Sequence, residues 1–379
     1  MNHASRAQRA LVPLVSLAIA ALVLTGVALL RARDDGAAPP AGPTLVLAEF
    51  GNTVDRIVTA PAEQPDTRTL VASVEHVAGW GSNPSPQAAG TLVAFTVLPP
   101  GAMPQRDSPA ELRLLDVATG ALRTLARDAD LLVPPLFDQA GAALVYRASS
   151  AGGQQALVRV DLASGTLRVL HRAESAFGNF PVGFAADGAL LFASLSTAGT
   201  DLYRVRAGEP PQLLLHASDQ IARDWRLSPN GRAVSYLAPE LLAERVVHRV
   251  QVLELGRDGA TRAATSPGAG EPNEHFAPVW TPDSAALTLG REAYPQRRAA
   301  AVTVPVDGSA SRALAAPASG FDVPLGWSPD GHWLAARSFD GVSANQPGTE
   351  SMVVISDSGR RFAVDGEAEL IFLGWVTRG

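Results

Sequence analysis

A turn sequence that recurs at nearly constant spacing constrains the fold of this chain more than any other feature. Its clearest copy is Trp327-Ser328-Pro329-Asp330-Gly331, which leads into an apolar, strand-like run. Each copy begins at an apolar or aromatic lead residue, and these residues are Phe137, Phe184, Leu227, Trp280 and Trp327. They are spaced by 47, 43, 53 and 47 residues. A period of about 40–50 residues with strand content is typical of β-propeller blades, each a four-stranded sheet.

The residue types in the turn explain why it joins two strands. Proline fixes φ near −65° and opens the turn, and Asp-Gly or Asn-Gly tolerates the positive φ that a tight hairpin needs. The run after the turn is rich in Ala, Leu, Val and Phe, which is typical of a strand buried on both faces. We therefore predict an all-β chain in which the lead residue ends the inner strand of each blade and fills the space between blades.

The two ends of the repeat region predict how the ring of blades closes. Leu373-Gly374-Trp375 repeats Leu325-Gly326-Trp327 at a distance of 48 residues. Residues 44–74 contain strand-like runs but no preceding inner strand. We expect the C-terminal strand to complete the sheet that the N-terminal strands begin, which leaves no open edge. With a sixth, degenerate copy at Ser85, this gives seven blades, or six if residues 44–74 pack elsewhere.

An apolar segment near the N-terminus predicts a membrane anchor. Residues 11–30 contain no charge, and as a helix they would span the hydrocarbon core of about 30 Å. Arg6 and Arg9 precede the segment, so the positive-inside rule places residues 1–10 in the cytoplasm and the body outside. The expected order is a cytoplasmic tail (1–10), an anchor (11–30), a Pro/Gly/Ala linker (31–43) and the propeller (44–379). A cleaved signal peptide is the alternative.

Charge and composition exclude several functional classes. The formal charge is −6 and the pI about 5.7, whereas nucleic-acid binding needs clustered Lys and Arg. The chain has no cysteine, which excludes thiolate metal ligands, cysteine nucleophiles and disulfides. These observations predict no nucleic-acid partner.

The repeated Trp-Ser-Pro-Asp-Gly turn followed by an apolar strand resembles the repeats of TolB-type propellers, a WD-like class of the bacterial cell envelope. The resemblance covers about residues 80–379. It implies the propeller fold and an envelope location. Two features differ from TolB: the chain has only short strands where TolB carries an α/β domain, and residues 11–30 predict an anchor where TolB is released into the periplasm. We therefore take only the fold and the envelope location from this resemblance and do not assign the role of TolB in the Tol–Pal system to this chain.

Sequence motifs for catalysis are not found. There is no G-x-S-x-G elbow, no phosphate-binding glycine loop and no H-E-x-x-H, and the seven histidines are scattered. Each turn supplies a single Asp, as a turn cap does, whereas a calcium loop needs several carboxylates within about a dozen residues. We therefore expect no metal, no cofactor and no catalytic residue.

Polar residues recur just before the predicted inner strands, where loops border one mouth of the propeller channel. We interpret these residues as a candidate ring for binding a partner. They are Asn179, Arg223, Asp224, Glu274, His275, Asp322 and Glu369. The sequence thus favours a membrane-anchored, extracytoplasmic, non-enzymatic scaffold for a protein or peptide partner in the envelope. The alternatives are a propeller-type lyase, lactonase or other hydrolase, and a ligand sensor that uses the channel mouth.

Overall fold

A computed structural model describes residues 42–378, except 86–87, 150–153, 173–176, 243, 257–272, 295, 297 and 367. All regular secondary structure in this part of the chain is β-strand. The strands are, in chain order, β1 (Gly42–Glu49), β2 (Val54–Pro61), β3 (Thr69–Glu75), β4 (Asn83–Pro84), β5 (Leu92–Val97), β6 (Ala110–Asp116), β7 (Ala121–Ala129), β8 (Leu136–Phe137), β9 (Ala143–Ser149), β10 (Gln155–Asp161), β11 (Leu167–Arg172), β12 (Asn179–Phe184), β13 (Leu190–Ser196), β14 (Gly199–Val205), β15 (Gln212–Ser218), β16 (Arg223–Leu227), β17 (Ala233–Leu242), β18 (Arg245–Glu254), β19 (Asn273–Trp280), β20 (Ala286–Ala293), β21 (Arg298–Pro305), β22 (Arg312–Ala313), β23 (Phe321–Trp327), β24 (Trp333–Phe339), β25 (Glu350–Ser356), β26 (Arg361–Val364) and β27 (Leu370–Arg378).

The strands form antiparallel sheets of neighbours in sequence, which confirms the predicted all-β propeller architecture. β12–β15, β19–β22 and β23–β26 each make a four-stranded sheet, and β16–β18 make a three-stranded one. β4–β7 and β8–β11 belong to one eight-stranded sheet, joined where Ala129 pairs with Ala148. In the sets that begin with β8, β12, β16, β19 and β23, the first strand is the innermost, because it lines the central cavity. In the set that begins with β4, the residues after β4 line the cavity.

The C-terminal strand completes the sheet that begins at the N-terminal end of the described chain. The order in this sheet is β27-β1-β2-β3, and Leu45 of β1 lies opposite Trp375 of β27. A strand from the end of the chain therefore takes the innermost place in front of β1. Pairing of this kind removes two free sheet edges at once.

The hydrophobic core lies between adjacent sheets. Val46 and Ile57 project from the first sheet and are fully buried. They pack in one cluster with Phe95 and Leu115 of the next sheet. Both faces of these strands are covered, so apolar residues occur in runs and do not alternate with polar ones.

The repeated turn is held by its own side chains. In the clearest copy the Ser328 hydroxyl donates to Asp330 Oδ1 at 2.6 Å and accepts from the Trp333 amide at 3.0 Å. The His332 amide donates to the same carboxylate oxygen at 3.1 Å. Gly331 has φ 75°, a conformation that glycine adopts without steric cost. The turn Asp therefore caps backbone amides.

Tryptophans at lead positions link neighbouring sheets. The indole Nε1 of Trp280 donates to the Arg226 carbonyl at 3.1 Å, and that of Trp375 donates to the Gly326 carbonyl at 3.0 Å. Each bond runs to the innermost strand of the preceding sheet. These aromatics therefore fill the space between sheets and satisfy a backbone carbonyl of the preceding sheet.

β-Bulges interrupt the innermost strands and let them approach each other closely. In β12 the register shifts between Pro181 and Gly183, and Gly183 has φ 149°. A Cβ at Gly183 would lie 2.9 Å from the Leu227 side chain of the next innermost strand. Gly374 in β27 has φ 144°. A Cβ at Gly374 would lie 3.2 Å from the Ala88 side chain. Glycine here permits contact between strands around the cavity.

The predicted tail, anchor and linker lie outside the described residues, apart from Gly42 and Pro43 in β1. Within the described part of the chain, the structure contains no helix long and apolar enough to cross a membrane.

Candidate functional site

A central cavity of about 960 Å³ is the main concave feature of the described structure. It is bordered by β8, β12, β16, β19, β23 and β27 and by the residues that follow β4. Aromatic side chains are prominent in its wall, including those of Trp225, Trp280, Trp327, Trp375, Phe180 and Phe372. This size and apolar character are typical of ligand-binding cavities.

The two ends of the cavity differ in chemistry. At the end where the chain leaves the innermost strands, the wall contains turn prolines such as Pro229 and Pro282. At the opposite end, which we call the entry end, the chain enters these strands. There Leu132 and Ile221 line the cavity with 44% and 61% of their surface exposed. Large apolar side chains left in water at a cavity mouth are a common sign of a binding surface.

Charged side chains gather at the entry end between the sheets of β16 and β19. Arg223 and Asp224 line the cavity. Glu274 lies 3.8 Å from Arg245 and 3.8 Å from His248, measured from carboxylate oxygen to nitrogen. We call Arg223, Asp224, Arg245, His248 and Glu274 the charged cluster. Three of its members belong to the predicted ring, and the structure brings them together.

Burial, more than the neighbouring charges, keeps the histidine of the charged cluster neutral. Burial lowers the pKa of His248, Arg223 lowers it further, and Glu274 opposes the change. Because the ordinary histidine pKa is about 6.5, His248 carries no charge at neutral pH. Asp224 has φ 55°, the left-handed region that a non-glycine residue seldom adopts, and such conformations concentrate at functional sites.

Arg226 places a guanidinium inside the cavity wall. It is half-buried and lines the cavity, and its Nη1 donates to the Trp225 carbonyl at 3.3 Å. Burial lowers its pKa, an effect that nearby Asp224 opposes. Among the described residues no carboxylate forms an ion pair with it. The arginine still remains charged, because the guanidinium pKa lies far above neutral pH.

The other four residues of the predicted ring make different contacts and do not line the cavity. Both carboxylate oxygens of Asp322 accept from Arg361, each at 2.7 Å, and its side chain is buried. Asn179 and His275 are also buried. The Glu369 carbonyl accepts from the Phe50 amide at 2.8 Å. The contacts of Asp322 and Glu369 hold parts of the fold together, and none of the four residues lines the cavity. A binding role for these four residues therefore stays a prediction.

Metal ligands do not converge in the described structure: in residues 42–378, outside the gaps given above, no three His, Asp or Glu side chains are placed to hold an ion.

Acid should destabilise the propeller through His275. Burial, together with Arg249 and Arg291, lowers the pKa of His275 to about 3, and the Val250 amide donates to its unprotonated Nδ1 at 3.2 Å. The unfolded chain takes up this proton near pH 6.5, whereas the native state resists until about pH 3. The stabilisation is complete above pH 6.5 and decreases progressively below it.

Between pH 7 and pH 5 this difference is expected to cost about 2 kcal/mol of unfolding free energy. Urea unfolding of the wild type and of His275→Gln at both pH values measures it, since glutamine does not titrate. The variant should lose less stability over this range. Equal losses in both proteins would assign the acid sensitivity to another group.

Comparison with known proteins defines the fold. No protein-family model and no curated protein sequence matches this chain. An oligogalacturonate lyase in complex with manganese is 17% identical with a TM-score of 0.53, over 85% of each chain. The β-propeller domain of the Trilobed protease from Pyrococcus furiosus is 8% identical with a TM-score of 0.55, over 85% of this chain and 92% of that one. TolB from Acinetobacter baumannii is 14% identical with a TM-score of 0.45, over 72% of this chain and 65% of that one.

Identities this low carry no information about substrate or partner, because one propeller fold supports unrelated functions. The likeness in the two higher-scoring matches extends over most of the described strands. Together with the turn repeats, it shows that this chain has a β-propeller fold.

Proposed function

We propose that the chain is a non-enzymatic binding scaffold that receives a protein or peptide partner at the entry end of its central cavity. The observation that carries the proposal is the apolar wall of this cavity, which continues to exposed Leu132 and Ile221 at its mouth. Burial of these side chains by a partner would remove apolar surface from water, worth about 25 cal/mol per Å². The charged cluster beside them would orient the partner.

The proposal includes a location and a blade count. Residues 11–30 anchor the chain in the inner membrane and hold the propeller outside the cytoplasm, where envelope proteins are the available partners. Seven blades form the ring, one of them the composite sheet of β27 and β1–β3. The pairing of β27 with β1 and the sheet orders given above support this count.

A matched pair of substitutions tests the binding surface. Ile221 at the mouth and Leu213 on the outer strand β15 are both exposed, at 61% and 52%, but only Ile221 lines the cavity. A partner is first identified by purifying the full-length chain from solubilised membranes, and its affinity is then measured with purified components. Ile221→Glu should weaken binding at least about 10-fold, because a charge would be buried at the contact. Leu213→Glu should leave the affinity unchanged.

Equal affinities for the two variants would place the partner elsewhere on the propeller and contradict the proposal.

An enzymatic function is the second candidate, favoured by neutral His248 3.8 Å from Glu274. A histidine that is neutral at working pH is suited to take up a proton. The manganese-bound oligogalacturonate lyase suggests one substrate to assay, with and without Mn²⁺. Turnover that is lost in His248→Gln would support the enzyme and overturn the scaffold.

A further inference from the structure

The charge of Arg226 is not balanced by the residues around it. The charged side chains in the described wall of the cavity are Asp138, Arg223, Asp224 and Arg226. Asp138 is paired with Arg159 outside this set, at 3.0 Å. Two arginines therefore share one carboxylate, Asp224. Counted together with the Arg159 that pairs with Asp138, the wall of the cavity carries one excess positive charge.

Arg226 is a half-buried guanidinium beside an apolar wall and has no carboxylate partner among the described residues, so it is suited to bind a negative group. A buried charge is normally compensated by a partner of opposite sign. Arg226 instead donates to one backbone carbonyl, at the rather long distance of 3.3 Å. Among the described residues the guanidinium, which has five N–H donors, makes this one hydrogen bond. A ligand with a negative group would supply the missing partner.

The repeat itself marks Arg226 as exceptional. In the other copies the residue directly before the lead position is Leu136, Gly183, Val279 or Gly326, all small or apolar. The bulged innermost strands use glycine there to let the next strand approach. The innermost strands of the other sheets pack with small or apolar residues at this position, so packing between the strands does not require an arginine here. Its place in the wall is consistent with ligand recognition.

We infer that Arg226 binds the free C-terminal carboxylate of a peptide whose apolar side chains occupy the central cavity. This inference deepens the proposed function and rests on it. The planar guanidinium fork matches a carboxylate and binds it with two parallel hydrogen bonds. The surrounding tryptophans and phenylalanines accept apolar side chains. Arg223 adds a second positive charge on the path from the entry end.

The charge count favours a peptide terminus over an acidic sugar chain. An oligouronate carries one carboxylate for each sugar and hydroxyl groups on every side. It would require several cations and many polar partners in the wall. The cavity has one excess positive charge and a largely apolar lining. A single terminal carboxylate on an apolar segment matches both features.

The test compares peptides that differ only in their terminal group. Two libraries of N-acetylated tetrapeptides with randomised apolar residues are prepared, one with free carboxylates and one with C-terminal amides. Binding to the purified full-length chain in detergent is followed by affinity selection and by the fluorescence of the cavity tryptophans. Carboxylate peptides should bind about 10- to 100-fold more tightly than their amides, the usual effect of a charge-assisted hydrogen bond.

Four variants test whether this preference arises in the cavity. Arg226→Met should abolish it, Arg226→Lys should keep part of it, and Arg312→Met, at an exposed site on the outer strand β22, should keep all of it. Asp224→Asn should bind the carboxylate peptides about 2- to 5-fold more tightly, because it removes a competing charge. Asparagine also tolerates the φ of 55° at this position. Thermal melting and circular dichroism verify that each variant is folded.

The outcomes separate the inference from the function on which it rests. Equal binding of acids and amides, or a preference that persists in Arg226→Met, would overturn the inference and leave the scaffold proposal standing. Failure of both libraries to bind at millimolar concentration would count against both. Binding of oligogalacturonate in place of peptides, lost in Arg226→Met, would overturn the peptide assignment and favour the sugar.

Discussion

A chain that lacks residues 370–379 is expected to aggregate or to lose most of its thermal stability. The deletion removes β27, the innermost strand of the sheet that also contains β1–β3. It exposes the edge of β1 and the apolar surface of the neighbouring sheets. Leu373, Trp375 and Val376 are all buried, and burial of each large apolar side chain contributes about 1.5–3 kcal/mol. The total approaches the 5–15 kcal/mol by which most domains are stable.

Substitution at Trp375 tests the same contact without removing the strand. Trp375→Ala should cost about 3–5 kcal/mol, as expected for a buried aromatic side chain. Trp375→Phe keeps most of the packing but removes the Nε1 donor to the Gly326 carbonyl, and should cost about 1 kcal/mol. Both values come from urea unfolding.

If the truncated chain melts like the intact one, closure through β27 does not stabilise the ring, and a six-blade ring with a dispensable tail would replace it.

Asp55→Ala is expected to be the most damaging single polar substitution, costing about 3–5 kcal/mol. Asp55 and His76 are both fully buried, with Asp55 Oδ1 3.0 Å from His76 Nε2. The carboxylate also accepts from the backbone amides of Gly51 at 3.2 Å and Ser82 at 2.8 Å. Truncation to alanine leaves these donors without a partner in the interior. Urea unfolding at neutral pH measures the loss.

Asp357 provides a matched control, because it also pairs with a histidine. His332 Nδ1 lies 2.6 Å from Asp357 Oδ2, but both side chains are more than half exposed. Asp357→Ala should leave the unfolding midpoint nearly unchanged, since water replaces the lost contact. Similar losses for the two alanine variants would show that burial does not determine the strength of these pairs.

The turns could be predicted in detail because their chemistry is local. Every hydrogen bond that shapes the turn at Ser328 involves residues within five positions of it. A run such as Ser-Pro-Asp-Gly therefore carries its own conformation wherever it occurs. The regular spacing of such turns was enough to predict propeller blades.

The candidate site was only partly predictable from the sequence. Arg223, Asp224 and Glu274 were identified because polar residues recur before the innermost strands. His248 was missed, since it lies 26 residues before Glu274 in the chain and approaches it only through the packing of β18 beside β19. Arg226 could have been found, because it is a charge at a repeat position that is otherwise small or apolar.

Asp322 shows why position before a strand does not predict exposure. Its partner Arg361 lies 39 residues away on the outer strand of the same sheet, and nothing in the local sequence reveals the pair. Asn179 and His275 are buried for a similar reason, as each lies at the start of an innermost strand covered by adjacent sheets. A polar residue at such a place can serve a strand contact as readily as a ligand.

The sequence by itself determined the turns, the strand content and the repeat, because these depend on residues close together in the chain. Tertiary structure alone decided which side chains face the cavity. The β-bulges in the innermost strands change the alternation of side chains along each strand, so that inward and outward positions cannot be counted from the strand ends. The excess charge at Arg226 emerges only when all these strands surround one cavity.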